Sequence, residues 1–374
     1  MIRTVEHPHL PLQKEIRQAL LSVEHIHLET CLFFDIETTG FSPRTAMIQQ
    51  ICLLHFSNPE EPELLHYFCN EVDDERPVLE AFFAQIHANT TLIHYNGNTF
   101  DLPFLKKRAQ YHRLPLPASL NNGLDLYHTL RKLKPFLALP DFKLKTLEQQ
   151  FGYQRLDSLS GKDVVSQYEA FMMEKLSKGT ENQERLALLS AHNMEDVLAT
   201  WQIASALTYR ICPDDLNVTE HSQKKALQGK AKGAYPFPLT ISQEFATISY
   251  DTTSVELQIP VFEGKLYHFY PDYENYYYLP EEDYAIHKSV GSFVDASHRK
   301  KATAKTCYTP AQGTFLPIPK KTFQDTPFTG TGKPMTFFQK ENRSPLYYLP
   351  ISSLNETDFF LYRTAIWNAV WDHI

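Results

Sequence analysis

Asp35 and Glu37 stand in Phe33-Phe34-Asp35-Ile36-Glu37-Thr38-Thr39-Gly40, with one residue between them. On a strand, alternate side chains share a face, so the two carboxylates point one way while Phe34 and Ile36 point into a core. Two such acids on a central strand repel each other and lose hydration unless something positive compensates. A hard divalent cation such as Mg²⁺ or Mn²⁺, which prefers oxygen ligands, does so. An Asp-x-Glu pair by itself is more often the solvated face of an edge strand, and two further acidic sites change that balance. Asp101 lies where an apolar strand, Leu92-Ile93-His94-Tyr95, turns through Asn96-Gly97 into a helix. Alone it would be a first-turn acid favoured by the helix dipole. His192 and Asp196 lie four apart in a strongly helical stretch and so share one helix face. An isolated histidine there would ordinarily be a surface or capping residue.

These residues need a framework. Residues 32–37 read as a strand with 46–56 and 64–69 as neighbours, and Pro77 opens a helix over 78–87. Residues 91–95 read as a short strand, and 100–209 are mostly helical in pattern. The implied fold is a mixed sheet with helices on its faces, an α/β architecture. Composition shifts near Pro213: residues 1–212 hold 21 aromatics and a net charge of −6, whereas 213–374 hold 27 aromatics and −2. The expected domains are therefore 1–212 and 213–374, with the polar stretch from Pro213 to Gly233, including His221-Ser222-Gln223-Lys224-Lys225, as a linker or exposed loop. In the second part, 246–258 and 260–270 alternate as strands with Glu263-Gly264-Lys265 as a hairpin turn. A helix is expected after Pro280, carrying Ile286, Val290, Phe293 and Val294 on one face. A last helix is expected to be capped by Asn355 and to bury Phe359, Ile366, Trp367 and Val370. This part is expected to be a smaller α+β domain.

The chain has 374 residues, 43% of them hydrophobic, which is ample for packed cores and excludes wholesale disorder. No apolar run approaches the ~18 residues of a membrane span, and the N-terminus lacks the apolar stretch of a secretory signal. The five cysteines form no CxxC pair and read as thiols of a reducing compartment. A cytoplasmic protein is expected. The net charge of −8 argues weakly against nucleic acid, because a metal site itself needs local acid.

Taken in order, Asp35 to Gly40, His94 to Asp101 and His192 to Asp196 resemble the three exonuclease motifs of the DEDD 3′–5′ exonuclease superfamily, which has the ribonuclease H-like fold. The match is nearest to its YprB-type branch of bacterial ribonuclease H-like proteins, and extends through Asp125-Leu126-Tyr127 and Leu144-Lys145-Thr146-Leu147-Glu148. The resemblance covers about residues 28–210. It implies a ribonuclease H-like sheet and two divalent cations, Mg²⁺ or Mn²⁺. Asp35 would bridge them, Glu37 would complete one coordination sphere, and Asp101 and Asp196 would supply the rest. His192 would orient or deprotonate the attacking water. Two metals about 4 Å apart suit an in-line phosphodiester displacement. Histidine-type members of the superfamily usually space this pair by five, and tyrosine-type members by four. A one-residue offset is a rotation of ~100° on a helix.

Around these residues, Thr38, Asn96, Lys106, Arg108 and Lys145 are candidate substrate contacts, within basic clusters at 106–108 and 131–145 that could track a phosphate backbone. Lysine-rich helix surfaces have the same appearance. The aromatic run Tyr267–Tyr278 fits core and turn packing better than base stacking, with Tyr276 or Tyr277 the best stacking candidates. The expected function is a metal-dependent 3′–5′ exonuclease on single-stranded DNA or RNA ends. A structure-selective endonuclease on the same fold and a lapsed nucleic-acid-binding or scaffold protein are the alternatives.

Overall fold

The first unit, Met1–Ile211 with Ala234–Phe237, is built on a mixed sheet. The computed structural model describes residues 1–58, 60–221, 226–328 and 335–374. Among these, the sheet has six strands in the order β1-β4-β3-β2-β5-β6. They are β1 (Ile2–Glu6), β2 (Cys31–Thr38), β3 (Ile48–Asn58), β4 (Glu61–Phe68), β5 (Thr91–His94) and β6 (Gly123–Asp125). β2 pairs antiparallel with β3 and parallel with β5, so it is central. A central strand covered on both faces reads as a nearly continuous apolar run, and Cys31 to Phe34 are all buried.

The helices are α1 (Gln13–Glu24), α2 (Glu75–Phe83), α3 (Asp101–His112), α4 (Leu126–Arg131), α5 (Leu144–Gln150), α6 (Gly161–Lys178) and α7 (Gln183–Ala204). The helix expected over 78–87 begins earlier, at Glu75, and Pro77 sits in its first turn, where a missing N–H costs nothing. The alternation of β2 divides its two faces. Phe34 meets Phe82 of α2 at 5.3 Å between ring centroids, whereas Phe33 meets Trp201 of α7 at 5.3 Å. Asp35 and Glu37 follow Phe33 on the α7 face. Residues 234–237 join this unit through a reciprocal pair in which the Tyr209 hydroxyl donates to the Phe237 carbonyl at 2.5 Å and accepts from its N–H at 3.0 Å.

The second unit, Cys212–Gly233 with Pro238–Ile374, carries antiparallel sheets. One runs β7-β8-β11-β10-β9, from β7 (Asn217–His221), β8 (Ala226–Lys232), β9 (Leu239–Gln243), β10 (Ala246–Asp251) and β11 (Ser254–Pro260). The others use β12 (Phe262–Phe269), β13 (Tyr276–Leu279), β14 (Tyr284–His287), β15 (Lys300–Lys301), β16 (Tyr308–Pro319) and β17 (Leu346–Pro350), in the orders β12-β16-β17 and β14-β13-β15. Helices α8 (Lys288–Gly291), α9 (Lys320–Asp325) and α10 (Glu356–Asp372) complete it.

Three sequence expectations change here. Part of the expected linker is strand β8, whose alternation is masked by Gly229 and the exposed lysines; residues 222–225 lie outside the described residues. Glu263-Gly264-Lys265 is no turn but the interior of β12, with Gly264 opposite Gly313. The helix expected after Pro280 is β14 followed by the single turn α8. Asp283, in the left-handed region at φ 57°, turns the chain back into the strand, and Val290 and Phe293 remain exposed. α10 is capped by Asn355, whose side chain accepts from Asp358 N at 2.8 Å. Ile366, Trp367 and Val370 are buried, while Phe359 is only half-buried. No helix among the described residues is long and apolar enough to cross a membrane. All five cysteines are free thiols.

Candidate metal centre

The centre forms where β2, α3 and α7 present acids to one another. β5 pairs with β2 only as far as Ile93 opposite Phe33. The Ile36 N–H is instead offered to Asp101 Oδ1, at 3.4 Å, at the first residue of α3. α7 runs against the direction of β2, so that Trp201 meets Phe33, Asn193 meets Asp35 and His192 meets Glu37. Asn193 Nδ2 donates to Asp35 Oδ2 at 2.8 Å. His192 Nε2 lies 3.3 Å from Glu37 Oε1 and 3.7 Å from Asp196 Oδ2. One donor atom from each of Glu37, His192 and Asp196 falls within 4.8 Å of the others, an arrangement that could hold a metal ion. The four-residue spacing therefore still brings the imidazole to the carboxylates.

Burial and mutual repulsion perturb the acids. Burial, then the charges of Asp196, Asp101 and Glu37, push Asp35 well above the usual carboxylate range. Burial raises Glu37 as well, against the pull of its hydrogen bond to His192. Burial holds Asp101 up at about 7 despite its backbone hydrogen bonds. For His192, burial lowers the pKa, but the Glu37 hydrogen bond and the charges of Asp196, Glu37 and Asp157 outweigh it and hold the imidazole at about 9. The donors are oxygens plus one imidazole, which fits a hard or borderline divalent cation. The Asn193 Oδ1 beside them is buried without a hydrogen-bond partner among the described residues.

These directions set a pH dependence. An acid raised from 3.8 in the unfolded chain imposes a penalty on the fold that sets in above about pH 4 and, for Asp101, is complete near pH 7. His192 stabilises the fold below 6.5 and loses that contribution as pH rises through about 9. Both act with the same sign, and a divalent cation offsets the carboxylate repulsion. Mn²⁺ at saturating concentration is expected to raise the Tm of the first unit by roughly 5 °C at pH 8 and by much less at pH 5. Equal shifts at the two pH values in scanning calorimetry would contradict this account.

Arg155 and Asp157, which the sequence alone does not single out, build the surroundings together with Glu148, Glu195 and Asp125. The loop between α5 and α6 brings Arg155, which is bidentate to Glu148 of α5 (Nε–Oε1 3.0 Å, Nη2–Oε2 2.7 Å). It also bonds Asp157 at 3.1 Å and reaches Asp196 Oδ1. Asp157 Oδ2 accepts from His192 Nδ1 at 2.7 Å. Glu195, adjacent to Asp196 but facing away, accepts from the N–H groups of Leu156 and Asp157 at 2.8 and 3.0 Å. That grip fixes the loop although the Leu156 side chain is 95% exposed. On the other flank, Asp125 accepts from the N–H groups of Asn96 (2.8 Å), Tyr127 (3.1 Å) and Asn98 (3.2 Å), which holds the turn leading to Asp101. Asn96 has φ 61°, and a Cβ on Gly97 would come within 2.7 Å of the His94 ring, so only glycine fits there.

The candidate substrate contacts are placed differently from one another. Thr38 is buried and donates to the Gly40 carbonyl at 2.9 Å. Asn96 Oδ1 accepts from the Thr99 hydroxyl at 2.9 Å. Lys106 is half-buried on α3. Arg108, expected to meet substrate, is instead buried against Glu75, with Nε–Oε1 at 2.7 Å, and donates to the Pro43 carbonyl at 3.2 Å. Burial of Glu75 would raise its pKa, but Arg108 and His112 hold it below the usual range. Lys145 is likewise turned inward, onto the Leu159 carbonyl. Arg108 thus meets a buried carboxylate, and Lys145 a backbone carbonyl, within the fold.

The RNase_H_2 family, of the RNase H superfamily, matches residues 32–208. A DNA polymerase of Pyrococcus glycovorans is 22% identical over 216 residues, and the uncharacterized protein YprB of Bacillus subtilis (strain 168) is 26% identical over 211 residues. These matches take in 50% and 55% of this chain, which spans 26% of the polymerase and 49% of YprB. Among solved structures, the family B DNA polymerase of the archaeon Pyrobaculum calidifontis aligns over 66% of this chain and 35% of its own, at 16% identity and a TM-score of 0.35.

Proposed function

Residues 32–208 form a domain of the RNase H superfamily, and from that premise we propose that the protein is a metal-dependent nuclease, a 3′–5′ exonuclease on single-stranded DNA or RNA. The observation that carries this reading is the gathering of Asp35, Glu37, Asp101 and Asp196 around one another. The charges of Asp196, Asp101 and Glu37 raise Asp35, Glu37 raises Asp101, and Asp196 meets Arg155. Four such acids are costly to keep together without a compensating cation. Cleavage is assigned to residues 1–212, with 213–374 as an accessory domain.

Asp35, Glu37, Asp101 and Asp196 would hold two divalent cations, Mg²⁺ or Mn²⁺. When bound, these supply Lewis-acid stabilisation of charge developing on the phosphate and the leaving 3′ oxygen. The protein's own residues do the rest. Asp157 accepts a hydrogen bond from the Nδ1–H of His192, which leaves Nε2 facing the carboxylates as the acceptor for a water proton. A divalent cation held by Glu37 and Asp196 would offset the charges that keep a second proton on His192, and Nε2 would then serve as the base. Lys106 and the turn at Asn96 remain available for phosphate or sugar contact, whereas Arg108 and Lys145 do not.

An oligonucleotide labelled at its 5′ end and incubated with Mn²⁺ is expected to shorten in single-nucleotide steps. Internal fragments would favour the endonuclease, and binding without cleavage would favour the lapsed module. His192→Ala is expected to lower turnover by about 10²–10⁴-fold while keeping most of the metal-induced Tm shift. Asp157→Asn is expected to lower turnover less and to move the acid limb of the pH–rate profile to lower pH, since one carboxylate no longer holds the imidazole proton. Unchanged turnover in His192→Ala would place the base elsewhere.

A further inference from the structure

The second unit contains a cavity of about 610 Å³ that belongs to none of the carboxylate chemistry. Its floor is aromatic. Tyr267 and Phe269, two apart on β12, share a face, and Tyr308 stands opposite Phe269 on β16. The ring centroids of Tyr267 and Phe269 lie 4.6 and 5.4 Å from that of Tyr308. Tyr308 is held in place because its hydroxyl donates to Asp283 at 2.5 Å, and Asp283 also accepts from the Tyr278 hydroxyl at 2.8 Å. The rings are only partly buried, so they are not the interior of a core.

The rim is cationic. Lys305, Lys340 and Arg343 line the cavity and are exposed, with Glu341 as the one acid among the lining residues. Lys265, nearby on β12, is already committed to Asp283 at 2.5 Å. Lys305, Lys340 and Arg343 make no ion pair among the described residues. The Lys340 ammonium lies 5.2 Å from the Phe262 ring centroid, a position that holds it without neutralising it. Three cations without an ion pair among the described residues thus stand beside three rings on a chain of net charge −8. The segment that carries two of them is anchored, since Asn342 Nδ2 donates to the Ala304 carbonyl at 2.6 Å.

An apolar π-surface edged by fixed positive charge recognises an unpaired base through its face and the adjoining phosphates through charge. The volume falls in the ~300–1,000 Å³ range of small-ligand sites. A duplex keeps its base faces stacked, so the partner must be single-stranded. We infer that the cavity between β12, β16 and the 340–343 segment binds single-stranded nucleic acid, with a base on Tyr267 and Phe269 and the backbone on Lys305, Lys340 and Arg343. This goes beyond the nuclease reading and stands whether or not the first unit cleaves.

The test uses the full chain in EDTA, with a fluorescein-labelled oligothymidylate and an oligouridylate as probes read by fluorescence anisotropy. Tyr267→Leu is expected to weaken binding about tenfold, within the range of one lost base stack, and Tyr267→Phe to restore it. Lys305→Ala with Arg343→Ala, both at exposed positions, is expected to lower the slope of log affinity against log salt by about 1.4, or ~0.7 per phosphate contact. Unchanged affinity and salt slope in these variants, or no binding by the parent, would overturn the inference. So would thymidine monophosphate competing as well as the oligomer, since the site would then serve a free nucleotide. Metal-dependent cleavage that is lost in Asp35→Asn, with binding unchanged in the cavity variants, would overturn this site and leave the nuclease reading. Cavity-dependent binding with no cleavage by the parent would do the reverse.

Discussion

Asp35→Asn is expected to lower metal-dependent cleavage by about 10³-fold or more, the equivalent of several kcal/mol of lost charge stabilisation, while the first unit stays folded. Asp35 is the acid on which the charges of Asp196, Asp101 and Glu37 all converge, so it occupies the common corner of the site. An amide there is a weaker ligand and carries no charge to neutralise a cation. The fold has no matching need for the charge. The carbonyl of an asparagine can still accept the 2.8 Å bond from Asn193 Nδ2, and Phe34 and Ile36 keep their places in the core. Removing one of four mutually repelling acids should even raise the Tm of the metal-free protein above pH 7. Single-turnover cleavage and calorimetry on the same preparation test both halves. Full activity in the variant would sink the site assignment.

Arg155→Ala is expected to destabilise the first unit by about 3–5 kcal/mol, the usual cost of leaving buried charge without its partner. Arg155 serves Glu148, Asp157 and Asp196 together, and its side chain is only 6% exposed. Burial works against its charge, yet Glu148 and Asp196 keep its pKa raised. Without the guanidinium, three acids must either protonate or repel. Protonation is possible only at lower pH, so the loss should be larger at pH 8 than at pH 5. Urea unfolding at both pH values measures it. Arg155→Lys should recover only part, because an ammonium cannot reproduce the bidentate contact with Glu148. An unchanged unfolding midpoint in Arg155→Ala would mean that the network is ornamental.

Arg155 also shows where sequence reading stops. It lies in a loop, between helices, with no periodicity around it, and nothing local distinguishes it from any surface arginine. The same blindness acted in the opposite direction for Arg108 and Lys145, which look like phosphate contacts in a basic stretch but face Glu75 and the Leu159 carbonyl. Asn193 has no role assigned by its motif position, yet its amide donates to Asp35. Glu148 and Asp125 were at least visible as part of a resemblance, and the structure supplies their reasons: one anchors Arg155, the other holds the turn before Asp101. In the second unit, the Glu263-Gly264-Lys265 turn was misread because glycine commonly marks a reversal. Here it allows close pairing with Gly313 inside a long strand.

What the sequence determined by itself is whatever local periodicity encodes. Alternation placed Asp35 and Glu37 on one face of β2, and a four-residue spacing placed His192 and Asp196 on one face of α7. The order of the motifs carried the mixed α/β sheet. Only the tertiary structure decided which cations are committed and which are displayed, that Asp157 would fix the imidazole, and that Tyr267, Phe269 and Tyr308 would share a cavity with Lys305 and Arg343. The reason is physical. A hydrogen bond or ion pair between residues far apart in the chain depends on how strands and helices pack, and leaves no repeat in either segment by which it can be read.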